Sequence, residues 1–435
     1  MFVRQISKRK NTTEESKSSS RTPPVIQRKV GFEVEVECEV FRNPEQAREF
    51  DASKEPVFRP AFTKPIRKYD VLLKGQGFEL QTDLGFPSRV PYLEFVTDPF
   101  EETDAGQAQM DRTFGEIVRI MRTLSESVSS AGFSLETCLR PFGEIPDEMR
   151  KVIIRSEHVE QGNFQFTAGI RLGALPKIFD DLGTPRAEAP ALSKKRDPGR
   201  KYLIDWERDL DFKTGLKHEA DDFGKIIRIV NDMAQRYGHS EKLQGLLCLI
   251  GQYLALGNDP CASYPKTMFP ITPRTSFARI FELIPPEEKE KYADESEWVA
   301  LVYELFGALR IGPVRAPLFT QGIHLEDELF KERRHNLNRI TRALWLRNIP
   351  KGKDLLNKED CPFPEAKPEL YFANLGPKTD EDPKTKEQTP ILEFRRLCQE
   401  LPYRKWPEFA REIFVWVRGV NEARDLFFNE NNGLP

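Results

Sequence analysis

The chain has 435 residues, of which 39% are hydrophobic and 31% are charged, and its 66 Lys and Arg nearly balance its 69 Asp and Glu. This composition is typical of a globular protein that buries its own core, and it excludes collagen-like, coiled-coil and wholly disordered chains. The net charge of −3 offers no general attraction to nucleic acid or anionic lipid, so we predict no nucleic-acid and no membrane partner.

Residues 1–28 are rich in Lys, Arg, Ser and Thr, which predicts a flexible basic leader before a single domain of residues 29–435. Period-two patterns predict strands at about 30–40, 69–82, 91–97, 163–172 and 390–397. Helical periodicity predicts helices at about 104–131, 222–237, 242–256, 296–309, 325–346 and 407–425. Proline-rich interruptions near 183–201 and 350–390 predict surface insertions. The mixture predicts an α+β fold.

The cellular compartment is predicted from the cysteines and from the apolar segments. Six scattered cysteines lack zinc-site spacing, which indicates a reducing compartment, and no apolar signal segment is visible near the first residues. The apolar stretch 243–256 is too short to span a membrane and predicts a buried core helix. We expect a cytoplasmic protein, or one exported without a classical signal peptide.

The first predicted strand carries an unusual row of carboxylates. Residues 31–40 read GFEVEVECEV, so a period of two places Glu33, Glu35 and the two following glutamates on one face of a sheet. Two such carboxylates can share a divalent cation, because Mg²⁺ and Mn²⁺ prefer oxygen ligands. A solvated outer strand face is the alternative interpretation of this segment.

Three later strands repeat a polar side chain between bulky apolar neighbours. They read YLEFVT with Glu94, NFQFTA with Gln165, and ILEFRRL with Glu393 and Arg395. We expect the apolar face of this sheet to pack under helices and the polar face to line a cleft. Carboxylates, an amide and a guanidinium suit metal ions and a polyphosphate. We interpret Arg396, on the other face, as structural.

In this order, GFEVEVE, YLEFVTDPF, FQFTAGI and ILEFRRL resemble the carboxylate-amine ligases with the glutamine-synthetase fold, which include amidoligases and glutamate-cysteine ligases. The resemblance implies a curved antiparallel sheet, with helices on one face and the active cleft on the other. It also implies a reaction that uses ATP and Mg²⁺ or Mn²⁺ to join a carboxylate to an amine through an acyl phosphate. The substrates would be small molecules or protein side chains.

The resemblance also assigns roles to individual residues. It implies that Arg395 and Gln165 contact the cofactors, Arg395 at the ATP phosphates and Gln165 near the metals. It implies catalytic roles for Glu33, Glu393 and Arg395. The implied metal ligands are Glu33, Glu35, Glu94 and Glu393.

Three further features allow more than one interpretation. Arg274 precedes a predicted N-cap at Thr275-Ser276 and could bind a nucleotide phosphate or a substrate carboxylate, or it could be an exposed loop arginine. Asp83 and Asp98 lie near the ends of cleft strands, where a turn role is the alternative. Gly75 and Gly77 predict a turn between strands, since no Walker lysine follows them.

The third matching segment departs from the family pattern. Amidoligases usually carry His-x-His there, whereas this chain has Gln165-Phe166-Thr167. Together with the basic leader, this departure motivates a second hypothesis, a degenerate binding module or an injected bacterial effector. A third hypothesis keeps the fold and changes the reaction to phosphotransfer.

Overall fold

The computed structural model describes residues 28–36, 38–52, 69–84, 91–127, 132–155, 160–183, 217–256, 271–311, 342–355, 360, 375–382 and 385–422. The predicted leader, except Arg28, lies outside this described part, as do residues 184–201 of the first predicted insertion and much of the second. The same holds for residues 325–341 of one predicted helix and for the side chain of Arg396. The single-domain prediction and its insertions stay predictions.

The strands of the described part form one large antiparallel sheet and one small one. The large sheet has the order β10-β12-β9-β1-β5-β4-β3, with β11 paired to β12 and β6 paired to β1, and the small sheet has the order β2-β8-β7. The strands are β1 Lys29–Val36, β2 Glu39–Phe41, β3 Val71–Gly75, β4 Phe78–Leu84, β5 Pro91–Thr97, β6 Phe100–Glu101, β7 Phe133–Ser134, β8 Ile153–Arg155, β9 Gln161–Gly169, β10 Ile271–Pro273, β11 Thr379–Glu381 and β12 Gln388–Pro402.

The α-helices are distributed between the strands along the chain. They are α1 Pro44–Ala52, α2 Asp104–Glu126, α3 Leu135–Leu139, α4 Leu175–Gly183, α5 Lys217–Tyr237, α6 Glu241–Leu256, α7 Phe277–Phe281, α8 Pro286–Ala293, α9 Glu295–Ile311, α10 Arg342–Asn348 and α11 Trp406–Asn421. Within α6, Leu243 and residues 245–254 are buried, which agrees with the predicted core helix. No helix in the described ranges is both long enough and apolar enough to cross a membrane.

Local sequence signals fix where two of these helices begin. The Thr103 hydroxyl accepts a hydrogen bond of 3.1 Å from the Gly106 amide at the start of α2. Ser276 accepts one of 3.3 Å from the Arg279 amide at the start of α7. Such side-chain caps satisfy amides that have no partner within the helix. The N-cap predicted beside Arg274 is therefore confirmed, at Ser276.

The core lies between the apolar face of the large sheet and the helices α2 and α11. The centroid of the Phe164 ring lies 5.7 Å from the ring centroid of Phe114 in α2 and 5.2 Å from the ring centroid of Phe409 in α11. Phe166 and Phe394 stack at 4.5 Å on neighbouring strands. The chain is thus a mixed α/β protein built on a large antiparallel sheet. The glutamine-synthetase fold itself stays a prediction.

Candidate functional site

One face of the large sheet carries polar side chains because β1 alternates strictly. Phe32, Val34 and Val36 are buried in the core, so Glu33 and Glu35 project from the opposite face. Residues directly opposite each other in an antiparallel pair share a face. We call this the polar face, and register adds to it Gln165 opposite Glu33, Glu94 and Asn163 opposite Glu35, Gln81 opposite Glu94, and Glu393 opposite Thr167.

Three carboxylates meet on the polar face where β1, β5 and β4 lie side by side. One carboxylate oxygen from each of Glu35, Asp83 and Glu94 lies within 4.8 Å of the other two. We call these residues the three-carboxylate group. Three negative charges at this spacing repel one another, and a divalent cation removes that repulsion while it gains hard oxygen ligands. The group therefore has the donor chemistry and the spacing to hold Mg²⁺ or Mn²⁺.

Two buried amides orient the three-carboxylate group. Gln81 Nε2 donates a 2.8 Å hydrogen bond to Glu94 Oε2, and Gln165 Nε2 donates a 2.9 Å bond to Glu35 Oε1. Glu94 is only 4% exposed and Gln165 only 8% exposed. Within the described part of the chain, Gln165 Oε1 is buried without a hydrogen-bond partner. Because this orphan oxygen lies on an amide bound to Glu35, it would be satisfied by a cation held beside that carboxylate.

A buried carboxylate between two arginines lies farther along the polar face. Glu393 is 1% exposed, and its Oε2 lies 2.6 Å from Arg274 Nη1 while its Oε1 forms an ion pair with Arg395 Nη2. We call Arg274 and Arg395 the arginine pair. Glu393 holds both guanidinium groups by charge, and one carboxylate cannot neutralise two cations. Counted by themselves, Glu393 and the arginine pair thus carry an excess of positive charge, which suits an anionic ligand.

Arg395 also interacts electrostatically with the carboxylates of β1. Burial by itself would lower the pKa of the Arg395 guanidinium, but the negative charges of Glu393, Glu33 and Glu35 outweigh it, and the pKa is raised above its ordinary value. Arg395 is therefore a permanent cation. This coupling links the arginine pair to the row of glutamates on β1.

The structure divides the predicted metal ligands into two sets. Glu35 and Glu94 belong to the three-carboxylate group, whereas Glu33 and Glu393 do not. Glu33 lies beside the group on the polar face, opposite Gln165, and Glu393 lies with the arginine pair. The metal-binding, catalytic and cofactor roles predicted for these residues, and for Gln165, Arg274 and Arg395, stay predictions.

The structure brings Asp83 to the site, a residue for which the sequence allows either a cleft role or a turn role. It lies in β4, opposite Tyr92 of β5, and joins the three-carboxylate group. The signal was the segment FELQTDL, in which Glu79, Gln81 and Asp83 repeat with a period of two.

Arg274 is 8% exposed, so the alternative of an exposed loop arginine is wrong. Gly77 lies in the turn between β3 and β4 with a φ of +84°, which confirms the predicted turn.

Comparison with known proteins gives little further information. No protein-family model and no curated protein matches the chain. Among solved structures, the ACD domain of a VgrG toxin from Vibrio cholerae, a mutant in complex with ADP and Mn²⁺, is similar at a TM-score of 0.37 and 13% sequence identity. The likeness covers 89% of this chain and 99% of that chain. At this TM-score it assigns neither a fold family nor an activity to this chain.

Proposed function

We propose that the polar face is the active site of an ATP- and divalent-cation-dependent ligase, which forms an amide or isopeptide bond between a carboxylate and an amine. The observation that carries the proposal is the presence of the three-carboxylate group and the arginine pair on one face of one sheet. A site that can hold a divalent cation, on the same face as a pair of permanently charged arginines, is the arrangement that a metal–nucleotide complex needs.

The residues of the two sites have separate tasks in this proposal. Glu35, Asp83 and Glu94 would hold the divalent cation, with Gln81 and Gln165 fixing the orientation of two of these carboxylates. When bound, the cation supplies positive charge that neutralises phosphate oxygens. Arg395 and Arg274 would bind phosphate oxygens, and Glu393 holds the two guanidinium groups in place.

The reaction follows from the need to activate a carboxylate. Condensation of a carboxylate with an amine in water is unfavourable, so a carboxylate oxygen of the substrate would first attack the γ-phosphorus of ATP, and ADP would leave. The amine would then attack the acyl carbon of the acyl phosphate and lose a proton, and inorganic phosphate would leave. The protein contributes positioning and charge neutralisation, for which the polar face has the required groups.

The test compares a variant within the three-carboxylate group with a matched variant outside it. Asp83→Asn and Glu94→Gln each remove one negative charge from the group, whereas Glu79→Gln removes one from the same face of β4, at a half-buried residue outside the group. We expect the wild type and Glu79→Gln to bind Mn²⁺ and then ATP in calorimetric titrations. Asp83→Asn and Glu94→Gln should lose at least tenfold in Mn²⁺ affinity.

The products decide the reaction class. ADP formation that requires both a carboxylate and an amine supports the ligase. A stable phosphorylated product would instead indicate phosphotransfer. Wild-type protein that binds neither Mn²⁺ nor ATP would refute the enzyme and favour the binding-module hypothesis.

A further inference from the structure

A cavity of about 440 Å³ lies at the edge of the large sheet, beside β3. We call it the edge pocket. It is lined by the side chains of Tyr69, Asp70, Val71, Glu144, Glu148 and Met149, among others. Pockets for small molecules span roughly 300–1,000 Å³, so this cavity is large enough for a small ligand or for one long side chain.

The edge pocket lies on the same face of the sheet as the three-carboxylate group. Glu94 is opposite Gln81, and Gln81 is opposite Val71, so these three residues form one row across β5, β4 and β3. The register of β3 against β4 shifts between Val71 and Leu73, and Lys74 beyond the shift is again opposite a polar-face residue, Glu79. The neighbouring row runs from Glu79 to Lys74 and on to Glu144. Since strands are about 4.8 Å apart, Val71 lies roughly 10 Å from Glu94 along the polar face.

The chemistry of the edge pocket is that of a site for an organic cation. Among the described lining residues, Asp70, Glu144 and Glu148 bring three negative charges and Lys74 brings one positive charge, with its ammonium group 3.9 Å from Glu79. The apolar residues Val71 and Met149 also line the pocket. Tyr69, which is 45% exposed, adds an aromatic ring. Carboxylates attract an ammonium group, an aromatic ring adds cation–π attraction, and apolar side chains accept an aliphatic stem.

The two ends of the polar face therefore carry opposite charge. The arginine pair makes one end cationic, and the edge pocket makes the other end anionic. An anionic nucleotide and a cationic amine would be attracted to opposite ends, with the three-carboxylate group between them.

We propose that the edge pocket binds an alkylammonium group of the amine substrate. This inference rests on the proposed function and adds the class of amine to it. Because the pocket lies roughly 10 Å from Glu94, the bound ammonium is an anchoring charge, and the reacting amine lies elsewhere on the same substrate. Such substrates are free polyamines and peptides that contain several lysines.

The experiment measures binding rather than turnover. Ligand-observed NMR titrations use spermidine as the polyamine and Nα-acetyl-lysine amide as the lysine side chain, with Nα-acetyl-norleucine amide as an uncharged probe of similar length. The test variant is the double substitution Glu144→Gln and Glu148→Gln, at two exposed residues of the pocket. The matched control is Glu287→Gln with Glu290→Gln, two exposed residues of α8 that do not line the pocket.

We expect at least one charged probe to bind the wild type and the control, and to bind the pocket variant about tenfold more weakly. The norleucine probe should not bind. Preference for spermidine or for the lysine probe identifies the source of the alkylammonium group. The proposal is wrong if neither charged probe binds the wild type, or if the pocket variant and the control lose affinity equally.

The two proposals can fail separately. Asp83→Asn removes a charge from the three-carboxylate group and leaves Glu144 and Glu148 unchanged, so it should still bind the charged probe. Probe binding in a protein that binds neither Mn²⁺ nor ATP would refute the ligase and keep the alkylammonium site. Binding of Mn²⁺ and ATP without binding of a charged probe would refute the alkylammonium site and keep the ligase.

Discussion

Glu393 has an arginine at each carboxylate oxygen and almost no exposure to solvent. At the scale of single residues, this environment separates it from Glu33, which is partly exposed. A buried ion pair adds little net stability, yet removal of one partner leaves an uncompensated buried charge. The two glutamates therefore differ in what their replacement does to the fold, although a sequence pattern treats them alike.

Replacement of Glu393 by Gln should lower the free energy of unfolding by about 3 kcal/mol, because it leaves the buried guanidinium of Arg274 and the half-buried guanidinium of Arg395 without their carboxylate. Replacement of Glu33 by Gln should change it by less than about 1 kcal/mol. Urea denaturation of both variants beside the wild type measures the difference. Equal stability of the two variants would show that the arginine pair does not depend on Glu393.

At the scale of elements, β9 connects the two halves of the site and packs against helices α2 and α11 on the core side. Its Phe164 contacts Phe114 of α2 and Phe409 of α11, while its Gln165 faces the three-carboxylate group. Alternation in one strand thus joins core packing to the position of a site residue. The period of two and the two helices were predicted from the sequence, but the packing of these particular helices on Phe164 was not.

Replacement of Phe164 by Ala should cost about 3–5 kcal/mol of stability, because the cavity would lie between a strand and two helices. Phe164→Leu, which keeps most of the volume, should cost markedly less. Thermal or urea unfolding of both variants measures the losses. If the two substitutions were equally costly, the aromatic contacts rather than the filled volume would be responsible.

At the scale of the whole molecule, a buried charge network joins segments that are far apart in the chain. Arg28 Nε lies 3.3 Å from Glu102, Arg28 Nη2 lies 2.7 Å from Asp382, and Asn421 Nδ2 donates a 2.8 Å bond to Glu102. Burial raises the pKa of Glu102 to about 7, against the opposing effects of Arg28 and Asn421. Burial likewise raises the pKa of Asp380 to about 6.

These raised pKa values predict that the protein is more stable at mildly acidic pH. Between about pH 4 and pH 7 the native state binds more protons at Glu102 and Asp380 than the unfolded state does, so stability falls as pH rises through this range. From pH 5 to pH 8, Glu102 alone should account for a loss of at most about 3 kcal/mol. Urea denaturation across this range measures it, and Glu102→Gln should flatten the profile. An unchanged profile in that variant would refute the assignment to Glu102.

The prediction of secondary structure was most accurate where periodicity was strong. The strand predicted at 91–97 lies at Pro91–Thr97, and the helix predicted at 242–256 lies at Glu241–Leu256. The short strand β10 was not predicted, because three residues show no measurable period, whereas the short helix α7 was indicated only by its N-cap. Arg274 directly follows β10, and its ion pair with Glu393 depends on the pairing of β10 with β12. The burial of Arg274 could therefore not be predicted.

The sequence by itself determined the alternation of β1, β5, β9 and β12, and hence that Glu33, Glu35, Glu94, Gln165, Glu393 and Arg395 lie on sheet faces away from the core. Alternation is a local property, since it depends only on the backbone of each strand. Only the tertiary structure decided which of these residues meet, because strand order and register are set by pairing between distant segments. Register placed Asp83 with Glu35 and Glu94, and it placed Glu393 with Arg274 rather than with the carboxylates.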